Sequence, residues 1–574
     1  MWCDNNVSII HFLRIGMERF RELRSGKIKK TGSLVHVLFF AMLTTIATAV
    51  NEHFDPVMPH SVKRRLFVSL LSNTLRSGMS FLTGLIIARG LTPNGYGELT
   101  FLIGSFVAIR SLLDLGTSNA FYTFISQERR PVRYYSYYGL WLMFQFSLTA
   151  AVVAFILPPS MLHKIWLGHS RPVILLAFAA SFFQQQLWQT VNQIGEAARK
   201  TVKVQYLNVS LAAVYLCSAF LLTAMGVISV RAVLILLILQ YIAAALVSIW
   251  VLGPFAPVPD PASGPITPGR MFEKYREYCV PLVTLSLVGF AYDFSDKWML
   301  QRFGGANQQG FYQVAYLLAS ISILATTSTL NIFWKETAEA TKLKDTERVH
   351  RIFRKVSRGL FMFGAVLSGF LIPWSAQIIS VFLGKAYSPA GAVLTLMLLY
   401  PVHQSLGQIA GTMLLAGERT KQYLTVSAIF MLISLPISYL LQAPAEGMLV
   451  PGLNLGAVGM AVKMVGLNVI SVNVLLWVIA RNYGWKFDFL YQVVGLGAML
   501  LGGYLAKLAM AGVFTGMNTA DKLHLLPPFL ISGCLYLTFA AAVVWRMPWL
   551  IGMERDEVRG YAAKLRSSIL PASR

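Results

Sequence analysis

The chain has 574 residues, 56% of them hydrophobic and 13% charged, with a formal net charge of +24. An ordinary soluble domain carries roughly a quarter charged residues because its surface faces water, so this composition excludes one. The positive excess does not point to nucleic acid either. Binders of that class gather Lys and Arg with aromatics on one soluble face, whereas these cations sit in short loops between apolar windows. Cys3, Cys217, Cys279 and Cys534 show no metal or paired spacing, and the nine histidines form no HxxxH cluster. No metal or cofactor is expected.

In chain order, the first feature is an extension over residues 1–60. Its apolar stretch Leu34–Val50 follows Arg14, Arg19, Arg21, Arg24, Lys27, Lys29 and Lys30 and resembles a signal-anchor. A span here would invert every later helix against its flanking charges. The extension is therefore read as cleaved, interfacial or re-entrant, or as lying upstream of a true start at Met58.

Fourteen apolar windows follow, each of the roughly 20 residues a helix needs to cross a bilayer. They lie near 66–88, 97–122, 135–157, 172–193, 204–225, 230–252, 279–301, 310–333, 359–383, 391–415, 422–441, 456–480, 487–510 and 525–545. The Pro-rich stretch within 254–277 separates spans one to six (61–253) from spans seven to twelve (278–482) as a cytoplasmic linker. Spans thirteen and fourteen (483–546) and a basic tail (547–574) complete the chain. Alternate loops hold thirty Lys and Arg on one side, including the tail, and seven on the other. By the positive-inside bias, both ends of the core are cytoplasmic.

The segment after span one, Arg89–Phe101 (RGLTPNGYGELTF), is echoed after span seven by Arg302–Tyr316 (RFGGANQQGFYQVAY). Each has an arginine, a short polar turn, then glycine, an aromatic and a new apolar helix. Such repeats are common in transporters. Both spans are odd-numbered, so the halves run the same way and their axis lies along the membrane normal. These stretches, with LLDLG (112–116), SDKWMLQRFGG (295–305), SVFLGKAYSPAG (380–391), LLAGERTK (414–421) and LGAVGMA (455–461), resemble the polysaccharide (Wzx-type) flippase branch of the multidrug/oligosaccharidyl-lipid/polysaccharide exporter superfamily. The resemblance covers about residues 62–545. It implies an all-α integral membrane protein of two six-helix lobes plus two C-terminal helices, working by alternating access in a bacterial inner membrane. The implied cargo is undecaprenyl-diphosphate-linked oligosaccharide. The implied partners are membrane lipids, a polysaccharide polymerase and the export machinery.

An ionised side chain near a helix centre costs roughly 2.5–3.5 kcal/mol on insertion scales, so each such residue needs a reason. Arg76 lies mid-span with no acid three or four residues away. Arg110 and Asp114 share a helical face at i, i+4, as do Asp293 and Lys297, with Asp296 between them. His403 sits in span ten, and Lys463 and Lys507 in spans twelve and thirteen. Guanidinium donors match phosphate oxygens bidentately, so Arg76 and Arg110 are candidate substrate groups, and Lys297 joins them as a point charge. Asp114, Asp293, Asp296 and His403 are candidate coupling or ion-pair groups. In span four, Gln185, Gln189 and Asn192 share a face beside Trp188; they suit sugar hydroxyls or, equally, interhelical hydrogen bonds. No GxxxxGK[ST] phosphate loop is present, so an ion gradient or downstream polymerisation would drive transport.

These features favour a lipid-linked oligosaccharide flippase over a lipid II or multidrug exporter of the same superfamily. They disfavour a membrane polymerase or other enzyme, whose outer catalytic loop or soluble domain is missing from the pattern. The orientation is testable by labelling single cysteines in a cysteine-free background. Lys344→Cys should react only from the cytoplasmic side and Lys522→Cys only from outside, and the reverse pattern would contradict the charge reading.

Overall fold

The computed structural model describes residues 62–128, 130–253, 267–448, 450–513 and 525–560. The extension 1–60, linker residues 254–266 and the distal tail lie outside the described residues. All regular structure among the described residues is helical, and helix covers each of the fourteen windows. Ten helical runs among them are long and apolar enough to cross a membrane, and two of these, Leu71–Asp114 and Pro268–Ile323, each take in most of two windows or of one and part of the next. The windows at 172–193 and 391–415 are interrupted helices, broken by a π-helical segment at Phe183–Leu187 and by the junction between Met397 and Tyr400.

Helix Val62–Asp114 runs through the first repeat motif without a loop and kinks at Thr92, with φ 63° and ψ 170°. Pro93 causes the kink: it lacks an N–H for the helical ladder and its ring drives the preceding residue out of helical geometry. Gly90 lets this corner press against Thr223 and Ile228, whose side chains would lie 3.1–3.2 Å from any Cβ placed there. The second motif breaks in the same way. Helix Pro268–Met299 passes through a π-helical segment, Leu300–Gly304, and then Gly305 at φ 79° and ψ 175° opens helix Gly305–Lys342. The repeat seen in sequence is thus one backbone break used twice, by a threonine and by a glycine. Only glycine adopts that conformation freely, and elsewhere it costs about 1–3 kcal/mol.

The chain divides into two compact units, Met1–Trp298 and Met299–Arg574, so the division falls inside the seventh window. In the first unit, helices Trp188–Ala197, Thr201–Ala224 and Val230–Leu252 share a core of Trp188, Val204, Leu207, Leu211, Val247 and Leu252. Helix Pro268–Met299 joins this unit through Leu282, which packs beneath Gly116, and through Tyr275, whose hydroxyl lies 3.0 Å from that of Tyr134.

The second unit is centred on Phe361, Met362, Val402, Leu406, Ile409, Met413 and Tyr536. Its helices are drawn together by small residues, since apolar side chains gain little from leaving lipid for protein and close backbone approach does the work. Gly503 on helix Leu490–Val513 meets Gly369 on helix Thr346–Leu371, and a Cβ on Gly503 would collide with the Gly369 carbonyl. Tyr536 on helix Leu526–Arg546 locks the third side by donating to Val366 O at 2.8 Å. Gly497, on the same helix as Gly503, has open space where a Cβ would go. Gly503→Ala should therefore lower the melting temperature in detergent, with a cost of about 1–3 kcal/mol from overpacking. Gly497→Ala should leave it unchanged, and equal behaviour of the two would contradict this packing.

Candidate functional site: an amide-lined arginine in the first unit

The site starts where helix Val62–Asp114 stops. Leu115 (φ 44°) and Gly116 (φ 87°) turn the chain into left-handed backbone, and helix Thr117–Gln127 begins. That leaves the N–H groups of the new first turn without helical partners. Asp114 meets one of them: its Oδ1 accepts from Ser118 N at 2.9 Å and from Thr117 Oγ1 at 3.0 Å, and its Oδ2 accepts from Ser118 Oγ at 2.7 Å. Asp114 is thereby committed to the corner.

Arg110, one turn earlier and half-buried, points to span four instead. Its Nε donates to Gln186 Oε1 at 2.8 Å, its Nη1 to Gln185 Oε1 at 3.3 Å and its Nη2 to Gln189 Oε1 at 2.5 Å. Consecutive residues on an α-helix point about 100° apart, so Gln185 and Gln186 would not both face one guanidinium. The wider turn of the π-helical segment Phe183–Leu187 brings them to it together. Such segments are frequent at functional sites. Behind them Gln186 Nε2 donates to Gln145 Oε1 at 3.4 Å, and Gln145 Nε2 donates to Leu113 O at 2.6 Å. The ring of bonds closes on the helix that carries Arg110.

The consequence is electrostatic. Amide oxygens orient a guanidinium but leave its charge in place. A guanidinium has five N–H donors, and the three amides take one from each nitrogen. One N–H remains on each of Nη1 and Nη2 without an acceptor among the described residues, and these are left for an anion.

Arg76, two-thirds of a helix away, is exposed, and among the described residues no carboxylate lies within ion-pair distance of it. It stands within electrostatic reach of Tyr241, whose hydroxyl accepts from Gln184 Nε2 at 3.3 Å. Gln184, Gln185 and Gln186 therefore serve a band of polar groups in the first unit. Lys297 lies against the same long helix, its aliphatic chain filling the space left by Gly104, and its Nζ donates to Asp293 O at 3.3 Å. Asp296 is buried.

Other candidates have different surroundings. Trp188 Nε1 donates to Asn208 Oδ1 at 3.0 Å and Asn208 Nδ2 to Asn192 Oδ1 at 3.0 Å, so this pair ties span four to helix Thr201–Ala224. His403 belongs to the second unit, where its Nε2 lies 3.2 Å from Gln492 Oε1 and Gln492 Nε2 donates to Asn473 Oδ1 at 2.9 Å. Lys507 donates to Pro373 O and Gln377 Oε1 and lies over the Trp374 ring. The sequence reading missed Gln145, Gln184, Gln186 and Tyr241. A lone glutamine in the apolar window 135–157 was the signal for Gln145. Among the described residues no group of three or more His, Cys, Asp or Glu is placed to hold a metal ion.

Residues 62–333 match the family model described as "Polysaccharide biosynthesis protein". The chain is similar in structure to the lipid II flippase MurJ in its inward closed conformation, with 14% identity, 83% of this chain and 99% of that chain covered, and a TM-score of 0.59. It is also similar to a multidrug resistance MATE family transporter of the MOP superfamily in its inward-facing conformation, with 13% identity, 76% and 98% covered, and a TM-score of 0.54. At these identities the likeness is one of fold, and the family match is confined to residues 62–333, just under half of the chain. No curated protein sequence matches it significantly. The matched range contains Arg76, the Arg110 cluster and Lys297, as well as both copies of the repeated helix break.

Proposed function

We propose that this protein is a flippase that carries undecaprenyl-diphosphate-linked oligosaccharide across the cytoplasmic membrane by alternating access, for polysaccharide export. The observation that carries the reading is the Arg110 cluster: a cation inside an apolar unit, oriented by amides, with one N–H of each terminal nitrogen free. A diphosphate is a strongly charged group that must leave water to cross a membrane, and a fixed guanidinium edge offsets part of that cost through charge-assisted hydrogen bonds. Exposed Arg76 supplies a second cation on the same helix. The Nε2 groups of Gln185 and Gln189 can meet sugar hydroxyls while their oxygens hold the guanidinium. In this reading Lys297 assists the two arginines. Asp114 and Asp293, with Asp296, hold the helix ends that rearrange, and His403 is a candidate proton carrier in the second unit. Both termini of the core face the cytoplasm, where the lipid-linked sugar is made.

A charge-assisted hydrogen bond contributes about 1.5–3 kcal/mol, and roughly 1.4 kcal/mol is a factor of ten. Arg110→Ala should therefore cut surface glycan at least tenfold at unchanged membrane abundance. Arg110→Lys and Arg76→Lys, which keep charge but lose the planar fork, should be partly active, and Arg76→Ala should fall below Arg76→Lys. Full export by both alanine variants would overturn the assignment. Replacement of a cell's own lipid II flippase by this chain, with no effect on glycan export, would instead identify lipid II as the cargo.

A further inference from the structure

The last described segment builds a second cationic site, in the second unit. Helix Leu526–Arg546 ends with Trp545 and Arg546, and Met547 leaves helical geometry. The short 3-10 turn Pro548–Ile551 follows with Pro548 and Leu550 buried. Gly552, at φ 72°, reverses the chain where its backbone meets that of Arg354, so closely that a Cβ would lie 2.6 Å from the Arg354 carbonyl oxygen. Two bonds pin the reversal to helix Thr346–Leu371. Arg358 Nη1 donates to Trp549 O at 2.7 Å, and Lys355 Nζ donates to Glu557 Oε1 at 2.6 Å. Residues 555–560 then form a helical stretch.

The fold-back forms a half-open hollow of about 110 Å³ lined by Trp545, Arg546, Arg555, Val558 and Arg559. One water needs roughly 10–15 Å³ of such space, so the hollow has room for a phosphate group and the start of its glycerol. Three guanidinium groups line it and outnumber the acid that lies beside them. Glu557 is held by Lys355, and Asp556 is almost fully exposed, 3.7 Å from Arg559. The cluster keeps a positive excess, and an anion relieves the repulsion within it. The ligand's other half is read from position. The cluster sits at the end of an apolar 21-residue helix, where membrane-spanning helices meet the headgroup layer, and tryptophan favours that layer. Trp545 is half exposed beside the cavity, offering an apolar wall to a glycerol and the start of an acyl chain.

We infer that this hollow binds the phosphate of an anionic phospholipid and that the bound lipid fastens the stretch Arg555–Arg559 to the end of helix Leu526–Arg546. Basic pockets at helix ends commonly take such headgroups. A free phosphate ion offers the same oxygens without the glycerol and acyl chains, and the test separates the two. The full chain is purified in neutral detergent, and its melting temperature is measured with added phosphatidylglycerol, phosphatidylcholine or inorganic phosphate. Phosphatidylglycerol should raise the melting temperature by several degrees, with little change from the other two. The triple variant Arg546→Gln, Arg555→Gln, Arg559→Gln should fold normally in detergent alone, since these side chains line the surface. Its affinity for phosphatidylglycerol by native mass spectrometry should fall roughly tenfold, as expected for loss of charge-assisted bonds. A charge-matched variant of exposed cations elsewhere, Lys335→Gln, Lys342→Gln, Arg351→Gln, should bind as the unmodified protein does. Equal losses in the two triple variants would show a general surface-charge effect and overturn the site. A full thermal shift with millimolar inorganic phosphate alone would overturn the lipid assignment. Should the first triple variant melt early in detergent alone, Arg555→Gln by itself must still weaken lipid binding, and unchanged binding overturns the proposal.

Discussion

A guanidinium placed inside an apolar helical unit has to be oriented without being cancelled, and the first unit is arranged around that constraint. Pairing Arg110 with a carboxylate would fix it in place, but the pair would be electrically spent, and removing one member would leave the other buried and costly. The amide ring of Gln185, Gln186 and Gln189 takes a different course. Each amide accepts a hydrogen bond and carries no charge, so the ring sets direction while the cation keeps its attraction for an anion. Asp114, the acid spaced to pair with Arg110, instead binds Thr117 and Ser118 at the following corner.

Interrupted helices make this possible. The π-helical turn at Phe183–Leu187 lets neighbouring glutamines face one target. Thr92 and Gly305 break two long helices at corresponding points with nearly equal torsions. In lipid, irregular backbone is tolerated where side chains or neighbouring helices satisfy its polar groups, and glycine close to these corners allows neighbours to approach. On the proposed reading, this break used twice in one chain is where alternating access would absorb a change of angle without breaking the spans beside it.

Much of the fold was legible because the bilayer imposes a coarse and strict rule on sequence. Spans of apolar residues must be about twenty long, and the windows drawn from that rule fall on helices, including those that the structure interrupts. The Thr92–Pro93 break was visible as a Thr-Pro within a Gly-rich motif. The partner of Arg110 was not. The i, i+4 spacing to Asp114 places both on one face but says nothing of the left-handed turn at Leu115 and Gly116, which gives Asp114 a helix start to serve. The glutamine run was singled out, yet an α-helical reading put Gln185, Gln189 and Asn192 together, whereas Gln186 joins Arg110 and Asn192 binds Asn208. A π-helical segment depends on what packs across from it, and that is long-range information a local pattern does not hold. Arg76 was read as lacking a same-helix acid, and among the described residues no carboxylate reaches it.

The central claim is that Arg110 is a cation held ready for a diphosphate. Direct binding of a short-chain polyprenyl diphosphate-linked sugar to the purified protein, compared with its uncharged polyprenyl analogue, tests that claim most directly. The account predicts that the unmodified protein strongly prefers the diphosphate and that Arg110→Ala loses most of that preference while still binding the uncharged analogue normally. An unchanged preference in Arg110→Ala, with the protein folded, would contradict it.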